Sequence, residues 1–236
     1  MSHVVVTDIE RADASTVAAL AEFGSATVHE ALGRVGYAGP GIRPIQQGAA
    51  IAGTAITAQV APGDNLMVHA AIEQAGPGDV IVVVPTTDSA FGFIGELMAT
   101  QMQVRGVRGF VTTGGVRDTA ELRKMGFPVW TRHVSAQGTV KDTAGSVNVP
   151  VVLDGVVVNP GDAVVADDDG VTVVPRARVA EALDASRARA EKEAGNRRRF
   201  EAGELSIDIN GLRPVLEQLG VRYVSQRELE AGDAES

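Results

Sequence analysis

The sequence predicts a single α/β domain followed by a charged helical arm. Three observations support that expectation. Helical apolar spacing at 65–74 and 95–105 alternates with short apolar runs of strand length at 79–84 and 109–113. The second half holds two valine-rich pairs of runs broken by acidic turns ending in glycine, VVLDGVVV (151–158) and AVVADDDGVTVVP (163–175). From residue 176 to about 202 the chain is dense in charge and poor in apolar side chains, so a helix there buries little against its own core and is free to reach a neighbouring subunit. With no internal repeat and no linker, the expected division is a core domain over 1–175, a helical arm over 176–227 and a disordered acidic tail over 228–236.

In chain order, residues 10–35 read as two helices. The second opens at Thr27 with Glu30 three residues on, the spacing of a capping box, and is broken at Gly33 and Gly36. From Gly53 the period changes to two, with Thr54, Ile56, Ala58 and Val60 on one phase of a strand, and residues 65–74 return to a helical pattern. DVIVVV (79–84) is a continuous apolar run, which predicts a strand buried on both faces. A helix is expected over 95–105. A short strand, GFVTT (109–113), then leads through a turn at Gly114 and Gly115 into a short helix over 118–125. PVWTRHV (128–134) and the two hairpins complete the strands. In the second hairpin, Asp167, Asp168, Asp169 and Gly170 read as a turn rather than a metal cluster.

Composition excludes several functions. The chain has 236 residues, 44% of them hydrophobic, enough for an independent core. It has no cysteine, which removes disulfides, thiolate metal sites and a cysteine nucleophile together. A net charge of -9 without a nucleic-acid-binding motif argues against nucleic acid as a partner. No apolar run approaches the roughly 20 residues of a membrane span, and the first residues lack the order of a signal peptide, so a cytoplasmic protein is expected. His3, His29, His69 and His133 are scattered, without a helical pair at metal-ligand spacing. No nucleophile elbow is present, nor a glycine-rich loop suited to adenosylmethionine.

Two segments have the form of ligand sites. TTGGVRDTAEL (112–122) places Arg117 and Asp118 between a strand end and a helix start, where free amides and the helix dipole favour anions. FGFIGELMA (91–99) repeats the form, with Gly95 leading into Glu96, Leu97 and Met98. Each residue also has an ordinary reading: Asp118 as an N-cap, Glu96 as a favourable charge in a first helical turn, Arg117 as a surface cation. The twenty residues between Glu96 and Arg117 suffice for one helix and one returning strand, so both helix starts can meet at one sheet edge.

These segments, with TVHEALGR (27–34), FPVW (127–130), QGTVKDTAGSVNVPV (137–151) and PGDAVVADDDGVTVV (160–174), resemble the class II aldolases for 4-hydroxy-4-methyl-2-oxoglutarate and 4-carboxy-4-hydroxy-2-oxoadipate. Those enzymes share their fold with the RraA proteins, regulators of ribonuclease E. The resemblance covers nearly the whole chain, and Glu96 stands where many members have aspartate. It implies a layered β/β/α sandwich like the swivelling phosphohistidine domain, assembled as a homotrimer or homohexamer with sites between subunits. It also implies Asp118 as the direct ligand of Mg²⁺ or Mn²⁺, Gly95, Glu96 and the amides of Leu97 and Met98 around the substrate with Arg117, and Glu30 and Glu193 brought from a neighbouring subunit; Glu191 is an alternative to Glu193. The implied activity is metal-dependent cleavage of a small polycarboxylated 4-hydroxy-2-oxo acid in aromatic-compound catabolism, with oxaloacetate decarboxylation as a side reaction.

The chemistry agrees. Cleavage leaves pyruvate as an enolate that needs either a lysine Schiff base or a Lewis acid. Lys124 and Lys192 lie in polar helical segments and Lys141 in a polar loop, none in an apolar pocket that would depress an amine's pKa. The rival expectation is a non-catalytic RraA-type regulator that binds a ribonuclease or helicase. The arm beyond Arg176 and the set Glu96, Arg117 and Asp118 weigh against it.

Overall fold

The apolar run at 79–84 forms the middle strand of the main sheet and is largely buried, as its composition predicts. The computed structural model describes residues 3–233 and forms two compact units, Met1–Arg189 and Ala190–Ser236. The first unit opens with helices α1 (Ala14–Ala19) and α2 (Gly24–Ala31) and the short strand β1 (Arg43–Pro44). Alternating elements follow: β2 (Ile51–Val60), α3 (Leu66–Gln74), β3 (Asp79–Pro85), α4 (Glu96–Val104), β4 (Gly109–Val116), α5 (Thr119–Lys124) and β5 (Val129–Val134). Then come β6 (Ser146–Val147), the hairpins β7 (Val151–Leu153)–β8 (Val156–Val158) and β9 (Ala163–Asp167)–β10 (Gly170–Val174), and the long helix α6 (Val179–Glu201).

Strands β2, β3, β4 and β5 are parallel neighbours. The sheet order is β1-β5-β4-β3-β2-β9-β10, with β1, β9 and β10 antiparallel to their neighbours and β6 beside β2. Because side chains alternate across a strand, the two faces read out separately. Ile56, Ile81, Val83, Phe110 and Val129 pack under α3, α4 and α5. Ala55, Val80, Val82, Val111 and Trp130 pack against the β7–β8 hairpin and the inner faces of β9 and β10. The result is the expected β/β/α layering. The sheet curls almost shut: Trp130 of β5 donates its indole N–H to the Asp167 carbonyl at 2.7 Å, and Arg43 of β1 donates to the Asp169 carbonyl. Bringing the two ends of the sheet together leaves little free edge.

Several local expectations give way to longer-range contacts. Helix α2 starts at Gly24, three residues before Thr27, and no capping box forms. Asp167, far along the chain, accepts the Ser25 amide at 2.7 Å and the Ser25 hydroxyl at 2.5 Å, so a distant carboxylate satisfies the helix start. Strand β2 begins at Ile51, and nine of its ten residues are buried, since both its faces are covered. Gly114 and Gly115 do not turn the chain: β4 runs through them to Val116, with a register shift between Thr112 and Gly115. Residues 91–93 pair with this stretch, Phe93 N–H donating to Gly115 and Gly115 N–H to Phe91. A methyl group on Gly114 would lie 2.5 Å from the Phe93 ring, so the glycines serve close approach, not reversal.

The acidic cluster forms the β9–β10 turn, as expected, and Asp168 there accepts the Gly48 amide. Asp154 and Gly155, both at positive φ, turn β7 into β8. The first unit extends to Arg189, past residue 175, because Val179, Ala182 and Leu183 at the start of α6 pack with Val17, Leu20 and Val28. In the second unit, α6 is followed by α7 (Ser206–Ile209), α8 (Arg213–Gln218) and α9 (Gln226–Asp233). Helix α9 takes up part of the stretch expected as a disordered tail, while residues 234–236 lie outside the described residues. No residue of this unit whose exposure is described is buried, and Phe200, Leu205, Leu219 and Tyr223 stand exposed.

Candidate active site

Each parallel strand ends on the same edge of the sheet, and the loops that follow β2, β3 and β4 converge there. Ligands collect at such an edge because helix starts and free amides face it. Between the loops lies a cavity of about 210 Å³ lined by Asn65, residues 92–98, Arg117 and Asp118. That is smaller than the roughly 300–1,000 Å³ of sites for drug-sized ligands, and it suits a small acid.

Asp118 occupies the N-cap position of α5 but does not cap it. Its backbone is left-handed, φ 55° and ψ 34°, and its side chain makes no bond to the α5 amides. The carboxylate turns instead toward α4, where Oδ2 accepts the Glu96 N–H at 3.1 Å. Oδ1 accepts no hydrogen bond among the described residues. The ordinary reading of Asp118 as its own helix's cap therefore fails. A side chain on Gly95 would collide with the Asp118 carboxylate and crowd the Arg117 stem, so the glycine is what lets the two helix starts meet.

Arg117 is anchored through its backbone, whose N–H donates to the Ile94 carbonyl at 3.0 Å, and its Nε lies 3.9 Å from Asp118 Oδ2. Both side chains are nearly half exposed, so this pair contributes at most about 1 kcal/mol to stability. It is a polarised surface rather than a structural lock. Beside it, the first hydrogen bond of α4 is Ala99 N–H to Gly95 carbonyl. The amides of Leu97 and Met98 have no acceptor among the described residues and sit in the cavity wall at the positive end of the helix. Arg117 and these amides make one face that attracts an anion, and Asp118 and Glu96 offer oxygen ligands beside it.

The structure thus brings together Gly95, Glu96, Leu97, Met98, Arg117 and Asp118. Glu30 does not line this cavity: it lies on α2, paired with Arg34 at 3.1 Å and Arg189 at 3.5 Å. Glu193 lies on α6 in the second unit. Asn65 was missed from the sequence. It is buried, its Nδ2 donates to the Phe93 carbonyl at 2.9 Å, and its Oδ1 has no partner. The available signal was the Gly63, Asp64, Asn65 loop at the end of a strand, the same form as the two segments that were singled out.

The donor set fits a hard divalent cation. Asp118 has a free carboxylate oxygen on an accessible side chain, Glu96 is the other acidic residue among those lining the cavity, and among the described residues no group of three or more ligating side chains is present. Mg²⁺ and Mn²⁺ are commonly held this way, by one or two carboxylates with water and substrate completing the shell. His133 contacts Asp88 and His29 a backbone carbonyl, both outside this cavity. Among the described residues no helix is long and apolar enough to cross a membrane.

Comparison with known proteins agrees with this architecture. The sequence profile of the family described as RraA-like, Aldolase/RraA, matches residues 25–173. A protein of Halalkalibacterium halodurans, provisionally named a 4-hydroxy-4-methyl-2-oxoglutarate aldolase, is 34% identical over 178 residues, 75% of this chain and 82% of its own. The 4-hydroxy-4-methyl-2-oxoglutarate aldolase of Thermus thermophilus is 32% identical over 112 residues, 48% of this chain and 68% of its own. Among solved structures, RraAS2 of Streptomyces coelicolor, an unusual member of the RNase ES inhibitor RraA protein family, is 31% identical with a TM-score of 0.72, covering 80% of this chain and 99% of its own. With the profile spanning most of the chain and the β/β/α architecture shared, the protein belongs to the aldolase/RraA family.

Proposed function

We propose that this protein is a divalent-metal-dependent class II aldolase that releases pyruvate from 4-hydroxy-4-methyl-2-oxoglutarate or 4-carboxy-4-hydroxy-2-oxoadipate, and that it also decarboxylates oxaloacetate. The observation behind this reading is the meeting of Arg117, two free amides and the outward-facing Asp118 carboxylate around one small cavity. Arg117 and the amides of Leu97 and Met98 bind the carboxylate and 2-oxo end of the substrate, as donors fixed before the substrate arrives. Asp118 holds Mg²⁺ or Mn²⁺. When bound, the cation supplies the Lewis acidity that draws negative charge onto the 2-oxo group.

In the cleavage the C4 hydroxyl loses its proton, the C3–C4 bond breaks, and its electron pair passes into the pyruvate enolate, which is then protonated at C3. Glu96, which lines the cavity beside the pair, is assigned the relay of this proton. Glu30 and Glu193 are assigned to the same relay in a neighbouring subunit's site, within a homotrimer or homohexamer. A Schiff-base route is disfavoured, since Lys124 and Lys141 do not line the cavity and Lys192 lies in the second unit. Aromatic-compound catabolism in the cytoplasm is the setting that the resemblance suggests.

The test is pyruvate release from both 4-hydroxy-2-oxo acids and from oxaloacetate, with Mg²⁺ and with chelator. Turnover that requires metal and survives borohydride supports the reading. Pyruvate trapped covalently on a lysine overturns it. The likeness to RraAS2 favours a second reading, a regulator that binds a ribonuclease. Absence of turnover together with inhibition of a ribonuclease would select that one.

A further inference from the structure

Asp64 immediately precedes Asn65 in the loop after β2, and its carboxylate is buried at 2% exposure with no ion pair among the described residues. Three backbone amides and the Thr143 hydroxyl answer its charge. One oxygen accepts the Leu66 N–H at 2.8 Å, and the other accepts the N–H groups of Asp142 and Thr143, each at 2.7 Å. The last two belong to residues 136–143, a segment after β5 that is largely exposed and buries almost no apolar surface of its own. Such a segment stays ordered only through its hydrogen bonds.

The same segment does not line the cavity itself but backs two of its lining residues, Gly92 and Arg117. Gly92, which lines the cavity, donates its N–H to the Gln137 carbonyl at 2.8 Å. A methyl group on Gly138 would stand 3.9 Å from Arg117 Nη1. Val140 exchanges backbone bonds with the Asp64 loop, accepting from Asn65 and donating to Gly63. Ser135, next to the segment in sequence, accepts the Gln137 N–H at 3.1 Å, and Asp64 ties the segment to a loop distant in sequence.

We propose that Asp64 is a positioning residue of the site, holding residues 136–143 against Gly92 and Arg117 of the cavity lining so that the Arg117 guanidinium is confined to the orientation that receives a carboxylate. The proposal rests on Arg117 as the carboxylate-binding group of the proposed aldolase, and Asp64 itself touches no substrate. The carboxylate is required because three N–H donors converge on two oxygens. An asparagine would turn its own NH₂ toward at least one of them. Burial alone would raise this carboxyl, yet the amides and the Thr143 hydroxyl outweigh it and hold the group below its usual range, which accords with an anchor charged at neutral pH.

The probe is oxalate, a planar mimic of the pyruvate enolate, titrated with Mg²⁺ in excess into wild type and Asp64→Asn, alongside aldol-cleavage kinetics and amide hydrogen exchange. In a folded Asp64→Asn protein the oxalate Kd and the KM should rise about tenfold or more, while kcat falls by less than about threefold. The Asp142 and Thr143 amides should exchange faster. Unchanged oxalate affinity despite freed amides overturns the proposal, as does a loss confined to kcat. Wild type supplies a test that needs no variant: these two amides should be protected before any ligand is added, and unprotected exchange there refutes a preset backing for Arg117. Wild type that binds oxalate without cleaving either substrate sinks the aldolase reading and leaves the Asp64 proposal to be judged on binding. Wild type that binds no oxalate sinks both.

Discussion

A carboxylate that caps a helix and one that holds a metal respond differently to the loss of charge. Asparagine caps about as well as aspartate, and at position 118 it can still accept the Glu96 amide that Asp118 now holds. Asp118→Asn should therefore fold normally and lose metal-dependent turnover. Near-normal oxaloacetate decarboxylation by the folded variant in Mg²⁺-replete buffer would move the active site elsewhere. Arg117→Lys keeps the charge but gives up the planar fork, so it should lower kcat/KM by about 2 kcal/mol in transition-state terms, with both kcat and KM affected. Steady-state kinetics on either 4-hydroxy-2-oxo acid reads this directly, and a change in neither constant would make Arg117 a surface cation.

At the scale of elements, the site depends on two helix starts approaching more closely than side chains allow. Gly95→Ala would place a methyl group against the Asp118 carboxylate and 3.2 Å from Arg117 Cγ. Its backbone is extended, so the methyl strains the pair rather than the main chain. A displacement of the pair by about 1 Å should reduce turnover roughly 100-fold with little change in circular dichroism. Full activity in Gly95→Ala would show that the contact has slack. The Asp64 anchor joins two other loops and implies a pH dependence. Its folded-state carboxyl is held below the ordinary value, so its contribution to stability is complete above the unfolded value of about 3.9 and is lost as the pH falls through the lower folded value. Protection of the Asp142 and Thr143 amides, taken relative to their intrinsic exchange rates, should fall only in acid, below about pH 4, ahead of global unfolding. Protection unchanged down to the unfolding transition would contradict this.

For the whole molecule, the decisive feature is a second unit that buries none of its described residues and exposes several large apolar ones. Under the proposed neighbour-shared site, a second copy of the chain would cover these side chains. Truncation after Arg189 keeps Val179, Ala182 and Leu183 in the first unit's core. The shortened protein should retain its secondary structure, lose its oligomeric state in sedimentation and lose turnover. A fully active monomer of residues 1–189 would exclude a shared site and return Glu193 to an ordinary surface role.

Local chemistry was enough for the sequence to determine the alternation of helices and strands, the buried strand at 79–84, both hairpins and the acidic turn at 167–170. Apolar period and turn propensity act within a few residues and need no knowledge of distant partners. The segments holding Glu96, Arg117 and Asp118 were legible too, as helix starts after strands. What they do with each other was not. Only the tertiary structure decided that Asp118 bonds α4 rather than its own helix, that Gly114 and Gly115 admit a neighbouring backbone rather than turn the chain, and that Asp167 starts α2 three residues before Thr27. Asn65 and Asp64 entered the site by the same route, through partners on other loops. Each of these outcomes is a competition between a local hydrogen bond and one made across the fold, and its winner depends on which strands end at the same edge of the sheet.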